Sequence, residues 1–492
     1  MILVTPAEME SIDAATIGQH GLPSLVLMEN AARSVLPHIP PGPVTVLVGP
    51  GNNGGDGLVI ARALKELGRT VETWLLSEKL SPDAATQLAL AEQWGVPAVR
   101  LFGGDPAVPG LSAGRVVVDA LFGTGLGRDL EGRYARVLEV ANQADVFRLA
   151  VDIPSGVDGA TGRVMGVSFQ AHATVTFGLA KWGHVLYPGK SRCGNLILTQ
   201  PGFHPEALGR CDRVRYVTPA LAATLLPSGW PTMHKGDNGR VLLVTGSATY
   251  PGAGVLSTLG ALRGGGGLVT YAGDERLRRD VLSWAPEALL VERETIEGLE
   301  SYNVLVLGSG LGPEAESVGS DLLARFPGPV VVDADALKLV PRFASERRRS
   351  WVLTPHPGEL SRLLERPVAE LENNRIGTAL EAAASLGAVV CCKGAPTVCA
   401  APDGRAFVCS TGNPLLAQGG SGDVLAGLIG AYIGYGLPAL EATAAAVHVH
   451  GLAADLHAQG GSPRGVGARA IAERIPEAFG LAVGKNCSFA VL

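Results

Sequence analysis

Two glycine-rich runs carry acids where a phosphate or a hydroxyl would have to be handled. The first, Gly412-Asn413-Pro414-Leu415-Leu416-Ala417-Gln418-Gly419-Gly420-Ser421-Gly422-Asp423, places four glycines in twelve residues and ends on an acid. Backbone N–H groups of such a loop stand clear of side chains. Where the loop feeds a helix they converge with the positive end of its dipole, a seat for phosphate oxygens. Val424, Leu425, Leu428 and Ile429 share one face of the helix that follows, and Gly427 and Gly430 let it lie close to a neighbour. Asp423 either caps that helix or takes a proton from a substrate hydroxyl during phosphoryl transfer.

The second run, Gly49-Pro50-Gly51-Asn52-Asn53-Gly54-Gly55-Asp56-Gly57, leads from an apolar strand at 44–48 into a helix bearing Leu58, Ala61, Leu64 and Leu67. Gly49, Gly51 and Gly54 match the dinucleotide fingerprint, but the next strand has Glu72 too early and Glu78 too late to bind a ribose. Asn52-Asn53 adds amides to the turn, either as left-handed turn formers or as ligands. Two more predicted strands end on acids. Val116-Val117-Val118-Asp119 runs into a glycine loop at 120–129, and Leu149-Ala150-Val151-Asp152 into Ile153-Pro154-Ser155-Gly156. Ligands of an open parallel sheet collect at the carboxyl ends of its strands, so these three loops make one site.

Chemistry gathers at strand ends in the second half too: Gly308-Ser309-Gly310-Leu311-Gly312, Asp333-Ala334-Asp335, Thr354-Pro355-His356-Pro357-Gly358-Glu359 and Lys393-Gly394-Ala395-Pro396-Thr397. Lys393 is placed to neutralise phosphate. His356, between prolines, could equally bond its own loop. No G-x-x-x-x-G-K-[ST] is present, which excludes a P-loop.

The positioning elements are legible as periodic runs. Thr5-Pro6-Ala7-Glu8 is a capping box opening a helix with Met9, Ile12 and Ile17, and a second helix at 25–36 ends before Pro37. Strands follow at 71–76, 174–177, the last with Lys181 nearby, and 195–198. From 201 to 231 the pattern dissolves among prolines, with one short helix at 219–226, and the boundary falls at 212–219. Beyond it, strands at 241–244, 267–271, 304–307, 330–332, 352–353 and 388–392 alternate mostly with helices, so a second, mostly parallel sheet is expected. Pro402-Asp403-Gly404-Arg405 turns a hairpin between 397–400 and 406–408. The fold class is α/β in two domains, 1–213 and 219–492, since 492 residues exceed what one core serves.

Composition narrows the partners. With 47% hydrophobic and 17% charged residues the chain is not disordered, and a net charge of −6 gives no footprint for nucleic acid or anionic membrane. The N-terminus has no basic region and meets Glu8, Glu10 and Asp13 at once, so no signal peptide is read and a cytoplasmic protein is expected. The apolar stretch at 442–456 is broken by His448, His450 and Asp455, against a membrane span. Seven cysteines without a C-x-x-C argue against a disulfide framework; Cys391, Cys392, Cys399 and Cys409 read as buried small hydrophobes.

Leu27-Met28-Glu29-Asn30, the 51–57 run, Asp119 with Phe122-Gly123-Thr124-Gly125, and Val151-Asp152-Ile153-Pro154-Ser155-Gly156 resemble the NAD(P)H-hydrate epimerases in order and spacing over nearly the whole first half. The resemblance implies a Rossmann-like three-layer α/β/α sandwich that interconverts the R and S epimers of NADH-hydrate or NADPH-hydrate. It sets Asn52, Asn53, Gly54, Gly55, Asp56, Gly123, Thr124, Gly125, Leu126, Gly127, Arg128 and Asp129 against the hydrate, and Asp152 near the reacting carbon as the catalytic residue. Asn53, Asp119 and Ser155 would hold K⁺, a hard cation suited to oxygen ligands.

From Pro219 onward the chain is similar to the ribokinase-like ADP-dependent NAD(P)H-hydrate dehydratases. That implies a ribokinase-like α/β domain in which Lys393, Gly394, Ala395, Pro396, Thr397, Asn413, Gly419, Gly420, Ser421 and Gly422 bind ADP. Ala253, Gly310, His356 and Asp423 would face the hydrate. Asp423 would be the catalytic base that frees the hydroxyl for phosphorylation, after which phosphate leaves, with Mg²⁺ offsetting phosphate charge. The family more often has Gly-Met-Ala-Thr where this chain has Leu415-Leu416-Ala417-Gln418, and Thr at Ser421, a bulkier loop against the nucleotide. A bifunctional repair enzyme acting as a homo-oligomer is expected. The alternatives are a vitamin or sugar kinase with an accessory domain, disfavoured by the 354–359 run and the fused first half, and a nucleotide sensor without turnover, disfavoured by acids at three strand ends.

Overall fold

The computed structural model describes residues 1–103, 107–209, 211–460 and 464–484. The chain divides into two compact units, Ile2–Asp212 and Arg213–Leu492, Met1 grouping with the second.

Among its described residues the first unit is built on seven parallel strands: Val44–Val48, Val71–Leu75, Ala98–Arg100, Val116–Ala120, Phe147–Val151, Ala173–Phe177 and Asn195–Thr199. Counted along the chain they lie in the order 3-2-1-4-5-6-7, whose first six positions reproduce the doubly wound dinucleotide-binding sheet. Alternate residues feed opposite cores. Val46, Val118 and Leu149 pack with the helices Ser24–Val35 and Asn52–Glu66, while Leu47, Val117 and Ala150 pack with Gly132–Gln143. These are the three expected layers. The helix Pro6–Gly18 opens on the anticipated capping box, Thr5 Oγ1 accepting from Glu8 N at 3.2 Å and the Glu8 carboxylate accepting from Thr5 N at 2.7 Å. Ala98–Arg100 and the short parallel pair Ile2–Val4 with Ala180–Lys181 escape the sequence because three residues or fewer carry no period.

The glycine run at 49–57 does not remain a loop. Its helix begins at Asn52, so neither asparagine is a left-handed turn former. The glycines serve backbone approach instead: a Cβ at Gly49 would lie 1.7 Å from the Leu121 carbonyl oxygen, and one at Gly54 2.1 Å from that of Gly49.

Among its described residues the second unit holds ten strands: Val214–Val217, Arg240–Val244, Leu268–Gly273, Leu289–Glu292, Val304–Leu307, Val330–Val332, Trp351–Leu353, Val389–Cys392, Thr397–Ala400 and Ala406–Cys409. Counted along the chain their order is 4-3-2-5-6-7-8-9-10-1, and Thr397–Ala400 alone runs antiparallel to its neighbours. Two strands correct the sequence reading. Val214–Val217 lies where the pattern dissolved among prolines, and its four residues pair with Ala406–Cys409; Leu289–Glu292 is a short edge strand with Leu289 half exposed.

The helix Ser421–Gly434 also departs from expectation, being buried from Val424 through Gly434 on every side rather than along one face. Its glycines explain this. A Cβ at Gly427 would lie 1.9 Å from Ser257 O on the helix Pro251–Arg263, and one at Gly430 would lie 2.4 Å from Val306 Cγ2 on the sheet. A helix apolar all round is a core helix. The four singled-out cysteines are buried and free, and among the described residues no helix is long and apolar enough to cross a membrane.

Candidate active sites

In the first unit the carboxyl ends of the strands open into a cavity of about 610 Å³. Asn52, Asn53 and Asp56 reach it from the first turns of their helix, Gly123, Thr124, Gly125 and Leu126 from the loop after Val116–Ala120, and Asp152 from the end of Phe147–Val151. Gly54 and Gly55 turn to the packed side of the helix, where a Cβ at Gly55 would meet Met28 Cε at 2.7 Å. Gly127, Arg128 and Asp129 are exposed and stand outside the cavity wall, because Leu126 turns inward and the chain then runs to the bridge between Leu130 and Gly166.

Asp152 has φ of +66°, a left-handed conformation rare outside glycine, which marks a constrained residue. Its Oδ1 accepts from Lys181 Nζ at 2.6 Å and from Thr176 Oγ1 at 3.0 Å, with the lysine side chain only 2% exposed. Burial alone would raise the Asp152 carboxyl, but Lys181 outweighs it and holds the group below its ordinary value. His184 completes the support. Its Nδ1 accepts from Lys181 N at 3.0 Å, so Nε2 carries the proton and donates to Asp152 O at 2.9 Å; burial pushes the ring down to about 4 and keeps it neutral. Asp13 and Asp56 also line the cavity. Burial, then Asp152 and Asp13, lift Asp56 well above the carboxylate range, and burial brings Asp13 to about 6 against the pull of Lys181.

Beneath them Asp119 is wholly buried, its Oδ2 accepting from Ser155 N at 2.8 Å and its Oδ1 from Ser155 Oγ at 2.7 Å. Burial brings it to about 6 despite those bonds. Asn53 keeps both amide atoms buried without a partner among the described residues, a cost of about 1–3 kcal/mol per group unless a ligand meets them. A Cβ on Gly123 would be 3.5 Å from both Asn53 Cβ and Asp152 Oδ2, which sets the amide beside the cavity acids. Oxygen donors and an orphaned amide fit a hard cation.

In the second unit the organising acid is Asp333. Wholly buried at the end of Val330–Val332, it accepts from Thr354 Oγ1 at 2.6 Å, Ser309 Oγ at 2.8 Å and Lys393 Nζ at 3.0 Å. Burial alone would raise it; Lys393 and the hydroxyls bring it below its ordinary value. The Lys393 amine lies against the glycine loop, where a Cβ at Gly422 would be 3.4 Å away. Asp423 settles one alternative left open by the sequence. The helix N-cap is Gly420, at φ +89° with no side-chain cap, so Asp423 does not cap. Burial, then Asp333, raises its carboxyl to about 6, where it can accept a proton near neutrality.

Other expected residues have structural partners of their own. His356 Nδ1 accepts from Gly358 N at 3.0 Å and caps the helix Pro357–Leu364, leaving Nε2 3.3 Å from Glu359 Oε1 on a half-exposed ring. Asn413 caps the turn Pro414–Leu416 and donates to Asp455 Oδ1 at 2.9 Å, while Gly412 N donates to Asp455 Oδ2. Gly310, at φ +65°, meets Ala253 so closely that a Cβ there would be 2.6 Å from the Ala253 Cβ. Thr397 Oγ1 exchanges bonds with Gly394 N and O across Ala395 and Pro396, whereas Gly419 faces open space. The bulkier residues of the loop turn inward. Leu415 is buried, Gln418 Nε2 donates to Val466 O, and Ser421 Oγ donates to Leu416 O at 2.7 Å.

Sequence reasoning missed four residues. Lys181 and Asp13 carried the signal of a charge on an apolar run; Asp455 was read only as an interruption. Arg375 lies behind the nucleotide loop, donating to the carbonyls of Cys392, Lys393 and Pro396 at 3.1–3.2 Å while paired with Glu372.

Residues 24–183 match the family described as YjeF-related protein N-terminus, and residues 241–477 the one described as NAD(P)H-hydrate dehydratase. A bifunctional NAD(P)H-hydrate repair enzyme of Thermofilum pendens is 39% identical over 503 residues, covering 96% of this chain and 95% of its own. One from Moorella thermoacetica is 38% identical, covering 92% of each. Among solved structures, a ribokinase-like superfamily protein from Enterococcus faecalis, 27% identical, superposes with a TM-score of 0.50 over 55% of this chain and 96% of that one. Similarity of this extent, across both units at once, places the chain in the family of bifunctional NAD(P)H-hydrate repair enzymes.

Proposed function

We propose that the chain returns hydrated nicotinamide nucleotides to use in two steps. The first unit epimerises R and S NAD(P)H-hydrate, and the second dehydrates the S epimer with ADP as phosphoryl donor. The observation that carries the reading is Asp423, free of the helix cap and set beside Lys393 at the glycine loop.

Hydration of the dihydronicotinamide enamine puts the hydroxyl on a carbon bonded to the ring nitrogen, where it is a poor leaving group. Asp423 takes its proton, the oxygen attacks the terminal phosphorus of ADP, and AMP departs. The phosphate ester then leaves as the nitrogen lone pair moves into the ring, and loss of a carbon-bound proton restores the double bond. Lys393 and the amides of the 419–422 loop hold the phosphate oxygens, while the 393–397 run holds the lysine in place, its Lys393 N donating to Pro355 O and its Gly394 N to Thr397 Oγ1. Asp335, near Asp423 and the lysine-bound Asp333, would hold Mg²⁺, which when bound would offset the diphosphate charge and leave Asp423 free to act as the base. Supplying a mixed hydrate with ADP and following the near-ultraviolet absorbance of reduced nicotinamide should show its return. No return with either ADP or ATP would leave the sugar or vitamin kinase as the better reading.

K⁺ is proposed at Asn53, Asp119 and Ser155, where it supplies a fixed positive charge for substrate oxygens. It should raise the melting temperature of the wild-type protein more than Na⁺ does, since a ligand at 100 times its Kd stabilises by about 2.7 kcal/mol. Asn53→Ala should lose that difference. A K⁺-specific shift of unchanged size in the variant would place the ion elsewhere. Free buried thiols fit a reducing, cytoplasmic setting, and a homo-oligomer is the proposed assembly.

A further inference from the structure

We propose that Asp13 is the second proton carrier of the epimerase cavity, protonating the departing hydroxyl of the hydrate while Asp152 deprotonates the incoming water. This deepens the epimerase reading above and rests on it.

Inversion at the hydroxyl-bearing carbon needs two proton transfers. The C–O bond breaks with its electron pair on oxygen, which must collect a proton to leave as water, while the ring nitrogen lone pair forms C=N. A second water then attacks the opposite face and gives up a proton. In the resting site Asp152, held ionised by Lys181 at 2.6 Å, has no proton to give and can accept one. After one turnover Asp13 is a carboxylate and Asp152 an acid, which is the arrangement the return reaction needs.

Asp13 stands on the helix Pro6–Gly18, outside the sheet, and its half-buried carboxyl lines the cavity without a hydrogen bond or ion pair among the described residues. The charged groups around it are Glu10 on its own helix, Asp56 on Asn52–Glu66, Asp83 on Pro82–Gln93, and Asp152 and Lys181 at the strand ends. Glu10 is exposed, and Asp83 sits in the first turn of its helix, where the dipole favours an acid. Burial, then Asp152 and Asp13, all disfavour the charged form of Asp56, which makes it the poorer proton donor. Asp13, at about 6, both gives and takes one near neutral pH.

The test uses the full chain and one separated epimer, with initial rates corrected for spontaneous epimerisation. In the wild type kcat/KM should fall as pH rises through about 6, because the protonated Asp13 is needed. Asp13→Asn should lower kcat about 10²–10⁴-fold with little change in KM and erase that alkaline limb; Asp13→Glu should restore part of the rate and the limb. An Asp13→Asn protein of wild-type melting temperature that keeps its kcat, or keeps the limb, overturns the proposal. Asp152→Asn separates the two failures. If that variant loses epimerisation and Asp13→Asn does not, only Asp13 is misassigned; if neither does, the cavity is not the epimerase site.

Discussion

Asp152→Asn should reduce epimerisation of the hydrate about 10²–10⁴-fold, the usual cost of losing an acid–base group, and leave ADP-dependent dehydration of the S epimer unchanged. Asparagine is the informative substitution because it tolerates the left-handed backbone at φ +66° better than other side chains and keeps the shape of the carboxyl. It cannot take a proton. It also leaves the Lys181 ammonium buried without its counter-charge, which typically costs about 3–5 kcal/mol, so the melting temperature should fall as well. The pH dependence follows from the lowered Asp152 value. The stability given by the pair is present above the ordinary carboxylate range and is lost as pH falls through the depressed value. Acid titration of the melting temperature should therefore be steeper in the wild type than in the variant, and equal slopes would mean that the pair does not form.

Asp423→Asn should slow dehydration by about 10²–10⁴-fold, with ADP binding largely retained. Here stability should move the other way. The folded protein holds Asp423 above its ordinary value, so ionising it opposes folding, and that penalty grows as pH rises from the ordinary carboxylate range to about 6. No cap is lost with the carboxylate. The variant should thus melt at or above the wild-type temperature while losing nearly all turnover, the pattern of a residue kept for chemistry at some cost to stability. In the wild type, kcat/KM for dehydration should rise with pH through about 6. A flat profile there, or a variant with nearly full turnover, would remove Asp423 as the base.

Strand ends and glycine loops could be read from the sequence because each strand of four or five apolar residues carries its own signal, as Val44–Val48 and Val304–Leu307 do. What stayed hidden depends on sequence-distant neighbours. Whether Asp423 caps or stands free is decided by the backbone of Gly420, and whether Asp152 is ionised by Lys181, 29 residues on. Asp333 looked like one acid of a pair until Ser309, Thr354 and Lys393 were brought to it by three separate strands. The all-round burial of Ser421–Gly434 was missed because a periodic face shows where apolar residues are, not how closely glycines let a second helix approach.

If the two sites are self-sufficient, substrate passes between them through solution, and two half-active variants should complement each other when mixed. Given the pure R epimer, ADP and Mg²⁺, Asp152→Asn alone should return reduced nicotinamide only at the spontaneous epimerisation rate, and Asp423→Asn alone should return almost none. An equimolar mixture of the two folded proteins should recover much of the wild-type initial rate, since each supplies the step the other lacks. A mixture no faster than Asp152→Asn alone would mean that the two steps share one composite site.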